Sequence, residues 1–232
     1  MILYTKRLVF IHIPKCAGSS IENAFNHIDD YQRYDSALFG PDHRPLRAIE
    51  QGDIRLRDVL SSYENITEFR RRLRARYKKK PNPMKNLQLT AEQYAAFYKF
   101  SFVRNPWDRV FSMYRHVMRE EHKRKRYQVD KLKDTSFKTF LQAYIGKKDL
   151  MPQTYWLKNF KGELALDYIG RFENLLGDFE AICSAMAIPT PELPHIYKSE
   201  KGDYRVHYDT QMTEAVARCY HEEIALFGYQ FE

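Results

Sequence analysis

The feature that most limits what this chain can become is a short apolar run that ends in a loop of small residues. Leu8-Val9-Phe10-Ile11-His12-Ile13 is apolar and β-branched, with charge before it and Pro14 after it. Such a run reads as a buried strand. Pro14-Lys15-Cys16-Ala17-Gly18-Ser19-Ser20 follows, and then Ile21, Ala24, Phe25 and Ile28 share one helical face. Ser19 and Glu22 have capping-box spacing for the start of that helix. A strand, a tight loop and a helix in this order leave backbone N–H groups aimed outward, an arrangement that binds phosphate or sulfate. Gly18 lets the backbone come close to an anion, Lys15 adds a mobile charge, and Ser19 and Ser20 add hydroxyl donors. An ordinary βα connection with a surface lysine has the same local pattern. The lysine precedes the glycine here, the reverse of the Walker A order, which disfavours an ordinary ATP or GTP loop.

A second unit of the same kind begins near Tyr98. Phe100-Ser101-Phe102-Val103 reads as a strand, Asn105 is a good N-cap, and Pro106 suits the first helical position. Trp107, Val110, Phe111, Tyr114 and Met118 then form a buried helical stripe. Arg104 falls at the C-terminal end of the strand, where open α/β sheets bind ligands. Ser112 lies two helical turns beyond, and Arg109 shares its face. An arginine fork and a hydroxyl converging there suit a phosphate. Pairing of Arg104 with a core carboxylate is the less favoured reading.

Between these units, Ile66, Phe69, Leu73 and Tyr77 define the apolar face of a helix studded with arginines, which Pro81 and Pro83 end. Downstream come short helices around 136–145 and 175–186, and a strand at Tyr168-Ile169-Gly170-Arg171-Phe172. A Pro-rich turn spans 189–194, and a last helix runs from about Gln211 to Phe227 with Gly228 as its stop. No repeat or linker is visible, so residues 1–232 are expected to form one domain. Alternating strands and helices imply a three-layer α/β sandwich around a parallel sheet of about four or five strands, resembling the P-loop kinases.

The formal net charge of +8 favours an anionic partner. The basic runs 70–80 and 122–126 raise the alternative of a nucleic-acid-binding module. They read as solvated helix faces with no groove-reading motif beside them, so no nucleic-acid partner is expected. Cys16, Cys183 and Cys219 have neither metal-ligand nor redox spacing, and an odd count argues against a disulfide framework. No metal is implied. No apolar run approaches the roughly 20 residues needed to cross a bilayer, and the N-terminus has no apolar signal segment. A reducing, cytoplasmic setting is the expectation.

Taken together, the two motifs resemble the sulfotransferases that use 3′-phosphoadenosine 5′-phosphosulfate (PAPS). Phe10 to Ser20 looks like that family's 5′-phosphosulfate loop, and Arg104 to Tyr114 looks like its 3′-phosphate motif. Gly170-Arg171-Phe172-Glu173-Asn174-Leu175, Lys198-Ser199 with Tyr204 and Tyr208 behind it, and Phe227-Gly228-Tyr229 match the branch that includes carbohydrate sulfotransferases. The resemblance implies transfer of a sulfuryl group to an acceptor hydroxyl on a carbohydrate or glycolipid, leaving 3′-phosphoadenosine 5′-phosphate. It places Lys15 at the transferring group and the loop Cys16, Ala17, Gly18, Ser19 and Ser20 around the 5′-phosphate. Arg104 and Ser112 take the 3′-phosphate, and Lys198, Ser199 and Lys201 close over the donor. Arg171 and Glu173 are expected as an ion pair beneath the site. Animal Golgi members carry a membrane anchor, so its absence from this sequence is expected either of a cytosolic, bacterial-type enzyme or of a chain trimmed of its anchor. An ATP-dependent phosphotransferase is the alternative, but it would need a Walker-type lysine and a magnesium-binding acid.

Many relatives place a histidine base shortly before a Thr-Ala segment. Here that stretch reads Asn86-Leu87-Gln88-Leu89-Thr90-Ala91-Glu92, and Gln88 cannot take a proton at pH 7. His27 and His43 lie between the motifs. His27 suits a cationic helix cap. His43, in the turn-rich Gly40-Pro41-Asp42-His43-Arg44-Pro45, is the candidate base, with Glu92 and Asp42 in reserve.

Overall fold

In the computed structural model, residues 1–25, 42–50, 54–77, 88–193 and 203–231 are described. The elements of the first half are β1 (Ile2–Leu3), β2 (Leu8–Ile11), α1 (Gly18–Phe25), α2 (Leu46–Ile49), α3 (Leu56–Leu60), α4 (Tyr63–Arg76), α5 (Ala91–Ala96) and β3 (Tyr98–Val103). Those of the second half are α6 (Pro106–Arg119), α7 (Glu121–Tyr127), α8 (Phe137–Tyr144), α9 (Gln153–Leu157), β4 (Tyr168–Arg171), α10 (Leu175–Ala185), α11 (Thr210–Cys219) and α12 (His221–Phe227). The chain divides into two compact units. One holds Met1–Ile13, Ala17–Val103 and Thr154–Pro194, and the other holds Pro14–Cys16, Arg104–Gln153 and His195–Glu232.

The first unit contains the sheet, in the order β1-β2-β3-β4. β2, β3 and β4 run parallel, as the alternation of strands and helices requires, and β1 adds an antiparallel edge. All four residues of β2 are buried, so both faces of the sheet are covered. On one face Phe10 and Phe100 stack with ring centroids 5.0 Å apart. Phe25 of α1 meets Phe100 at 6.3 Å and Phe179 of α10 at 5.4 Å. These rings join strand and helix layers through apolar contact, the dominant favourable contribution to folding. The α/β class and mostly parallel sheet are therefore as expected.

Two helices of this unit depart from the sequence pattern. The face of α4 carrying Phe69, Leu73 and Tyr77 is exposed, while Asn65 and Glu68 are buried. The reason is a polar network that outweighs periodicity. Asn65 Nδ2 donates to the Phe160 carbonyl at 2.8 Å, and Arg47 Nη1 donates to Asn65 Oδ1 at 2.9 Å. Arg72 donates to the carbonyls of Arg47 and Glu50. α1 starts at Gly18, ahead of the expected Ser19 cap, and Glu22 is buried against His12.

In the second unit, the Asn105 side chain caps α6 by accepting the Trp107 N–H at 3.1 Å, with Pro106 in the first turn. Trp107, Val110, Phe111, Met113 and Val117 are the buried stripe. Tyr114 and Met118, expected within it, are only half-buried. The single C-terminal helix expected is two, α11 and α12, parted at Tyr220. The Tyr220 hydroxyl donates to the Leu150 carbonyl at 2.6 Å and draws the residue out of helical geometry. Gly228 ends α12 in the left-handed conformation at φ 64°, which only glycine adopts without cost.

Candidate functional site

The second unit assembles the start of the anion loop with the strand-end arginine. Arg104 Nη1 donates to the Lys15 carbonyl at 3.0 Å and lies 3.2 Å from Ser112 Oγ. The expected convergence of Arg104 and Ser112 is thus present, and the same guanidinium braces the loop. Against expectation, Arg104 also pairs with a carboxylate. Its Nε and Nη2 approach Asp108 at 2.8 and 2.7 Å. Asp108 is four residues along, so it reaches back one helical turn, which fixes the fork's orientation.

Arg109 was expected beside Ser112 and is placed elsewhere. It is fully buried. Its Nε donates to the Pro14 carbonyl at 3.2 Å and its Nη2 to the Asp149 and Met151 carbonyls at 2.9 and 3.0 Å. Its role is to hold backbone. Gln153, which the sequence did not single out, is a third brace. Its Oε1 accepts from the Arg104 N–H at 2.8 Å and from the Cys16 thiol at 3.4 Å. Its Nε2 donates to the Arg104 carbonyl and to the buried Glu223, at 2.8 and 2.9 Å. These three side chains hold Lys15 at φ 70°, a conformation that costs a non-glycine residue on the order of 1–3 kcal/mol and survives only where surroundings impose it.

The electrostatics of this unit favour an anion. Burial, then the positive charges of Arg104, Arg119 and Lys123, lower the Lys15 ammonium to about 8, with Cys16 opposing slightly. Burial, and then Lys15, Lys123, Arg119 and His122, press His116 down to about 3. Cations gathered this closely repel one another, which disfavours the charged form of each. Ser112, His116 and Arg119 follow one another at helical spacing on α6, a signal legible in the sequence but not drawn from it.

The first unit holds the rest of the loop and the candidate base. Ala17 has φ 63°, and its carbonyl accepts from the Ser20 N–H at 3.0 Å as α1 begins. Ser19 and Ser20 are half-exposed. Gly18 has a stricter reason to be glycine than close approach of an anion. A Cβ there would lie 1.9 Å from Cδ2 of the His12 ring. That ring is held by Glu22, whose Oε1 is 3.0 Å from His12 Nδ1. His43 Nδ1 lies 3.1 Å from the His12 carbonyl, and the two rings meet edge to face with centroids 4.2 Å apart. Trp156 Nε1 donates to the His43 carbonyl at 3.2 Å. Of the residues reserved as bases, Glu92 stands exposed on the first turn of α5. Burial pushes the Asp42 carboxyl up, but the N-terminal ammonium and Arg44 outweigh it and hold it well below the carboxylate range. Such a carboxylate is a poor proton acceptor at neutral pH. With its amide oxygen turned toward Arg72, Gln88 accepts from Nε at 3.1 Å.

Lys198, Ser199, Lys201 and His27 lie outside the described residues. Arg171 and Glu173 are both exposed. Tyr208 sits where its hydroxyl donates to the Trp107 carbonyl at 2.8 Å.

A family model described as sulfotransferase family matches residues 1–230. No curated protein and no solved structure matches the chain.

Proposed function

Because the chain belongs to the sulfotransferase family, we propose that it transfers a sulfuryl group from PAPS to an acceptor hydroxyl on a carbohydrate or glycolipid. The observation that carries the reading is the Arg104 guanidinium, 3.2 Å from Ser112 Oγ and 3.0 Å from the Lys15 carbonyl. It ties the residues assigned to the 3′-phosphate to the start of the loop assigned to the 5′-phosphosulfate. The fit to a polyanionic nucleotide is also electrostatic, since Lys15 is lowered by burial and by neighbouring cations that an anion would balance.

PAPS, when bound, supplies an activated sulfuryl group on a nucleotide leaving group. The chain's residues position it and balance its charge. Lys15 provides an ammonium at the transferring group. Cys16 and Ala17 shape the loop, and Gly18, Ser19 and Ser20 offer N–H and hydroxyl donors at the start of α1. Arg104 and Ser112 donate to the 3′-phosphate. Lys198, Ser199 and Lys201 are assigned to closure over the donor by the family resemblance. His43 is the proposed general base. A carbonyl oxygen can only accept, so the 3.1 Å contact with the His12 carbonyl requires the proton on Nδ1. In the neutral ring Nε2 is then the unprotonated nitrogen, and it is the atom proposed to take the acceptor's hydroxyl proton. The family match over residues 1–230 supports one sulfotransferase domain across the chain. Cys16, Cys183 and Cys219 are all thiols, which supports a cytoplasmic setting.

The test is calorimetry without magnesium. The protein binds 3′-phosphoadenosine 5′-phosphate far more tightly than AMP or ATP if the reading holds. Equal affinity for AMP and the 3′-phosphorylated nucleotide would overturn the donor assignment.

A further inference from the structure

The helix α4 is an amphipathic helix placed with its apolar face outward. Tyr63, Ile66, Phe69, Leu73 and Tyr77 recur at helical spacing. Tyr63 is 76 % exposed and Tyr77 is 85 % exposed, and Phe69 and Leu73 are exposed as well. Just before it, Leu56 and Leu60 of α3 are exposed at 72 % and 62 %. Ordinary surfaces scatter such side chains singly, whereas a sustained run marks an interaction surface. The helix is not free to turn this face inward. Asn65 and Arg72 lock the opposite side, Asn65 to the Phe160 carbonyl and to the Arg47 guanidinium, and Arg72 to the Glu50 carbonyl at 2.6 Å, with Glu68 holding Arg72 in place at 3.2 Å.

The charge on this face points to its occupant. Arg70 and Arg74 are exposed on the same side as Leu73 and Tyr77, with no ion-pair partner among the described residues. Exposed carboxylates are sparse there; Glu64 and Glu68 fall toward the other side of the helix. Leucine, phenylalanine and tyrosine interleaved with arginine suit the boundary between acyl chains and anionic headgroups. The tyrosines have an apolar ring for one side of that boundary and a hydroxyl for the other. Arginine stems can lie along the apolar layer while their guanidinium groups reach lipid phosphates.

We propose that the outward face of α3 and α4, centred on Phe69, Arg70, Leu73, Arg74 and Tyr77, docks the protein on an anionic membrane surface. The inference does not depend on which donor or acceptor the enzyme uses.

Flotation with lipid vesicles tests it. The full chain is expected to float with vesicles of phosphatidylcholine and phosphatidylglycerol and to stay behind with phosphatidylcholine alone. Phe69→Ser/Leu73→Ser/Tyr77→Ser is expected to lose binding tenfold or more, and Arg70→Gln/Arg74→Gln to weaken it by about fivefold per arginine. Both variants are expected to keep the wild-type circular dichroism and affinity for 3′-phosphoadenosine 5′-phosphate, since none of these residues is assigned to the donor. Failure of the wild-type chain to bind anionic vesicles overturns the proposal. Undiminished flotation of the folded triple variant overturns it too, because net positive charge alone would then account for binding. Sedimentation velocity supplies the last arm. Self-association of the wild-type chain, abolished in the triple variant and without vesicle binding, assigns the face to a second copy.

Discussion

His43 Nδ1 lies 3.1 Å from the carbonyl oxygen of His12, the residue three positions before Lys15. One backbone acceptor thereby selects the tautomer of the proposed base and anchors it next to the strand that feeds the anion loop.

Replacing His43 by alanine should leave the affinity for 3′-phosphoadenosine 5′-phosphate near wild type and lower kcat by roughly 10²-fold or more, the usual scale for general-base catalysis. The acid limb of the wild-type pH profile should vanish in the variant. Steady-state kinetics across pH checks both. Full activity in His43→Ala would move the role to Glu92 or to a group on the acceptor.

An alkaline limb should appear as well. Lys15, lowered to about 8, is protonated below that pH and loses its charge above it, so kcat/KM should decline as pH rises through 8. Lys15→Ala should damage turnover more than nucleotide binding, because its charge matters most as charge develops in the transition state, and its profile should be flat in this range. Stability has the opposite sign. The unfolded chain holds the Lys15 proton more tightly than the folded one, so this group's contribution to stability rises between about 8 and the ordinary 10.5. Urea titrations at the two ends of that window measure it.

Ser112→Ala should weaken the 3′-phosphorylated nucleotide while leaving AMP unaffected. The difference is expected to be about 1 kcal/mol, the scale of a single hydrogen bond. Arg104→Ala should lower donor affinity more steeply, since it also releases the Lys15 carbonyl. Calorimetry of both nucleotides on both variants separates these outcomes. Loss of AMP binding in Ser112→Ala would place the hydroxyl elsewhere on the ligand.

Arg109→Ala should unfold more easily than either of those variants. Its guanidinium is fully buried and donates to three backbone carbonyls, and hydrogen bonds from charged groups contribute about 1.5–3 kcal/mol each. A midpoint in urea indistinguishable from that of Ser112→Ala would refute the bracing role.

The strands, the loop between them and the N-cap at Asn105 were legible because each depends on residues adjacent in the chain. The same holds for Arg104 and Ser112, which one helix brings together. What escaped depends on distant partners. No local pattern links Gln153 to Cys16 and Glu223, or His12 to Glu22. The orientation of α4 was not legible, because periodicity marks an apolar face without saying which side the core will take. Arg47, the Phe160 carbonyl and the Glu50 carbonyl decided it, and all three lie outside the helix. The break at Tyr220 likewise answers to Leu150, far away in sequence.

The contact between Gly18 and the His12 ring has a consequence for how such sequences can vary. A methyl group at position 18 and an imidazole at position 12 claim the same space, and the imidazole is pinned by Glu22. Position 18 can therefore gain a side chain only once position 12 has lost its ring. A viable chain with alanine at 18 needs a smaller side chain at 12, and position 22 is then released from its carboxylate. Three sites, one just past the strand and two on the helix, are thus ordered in time as well as in space, and a laboratory search that begins at position 18 meets a wall that one beginning at position 12 does not.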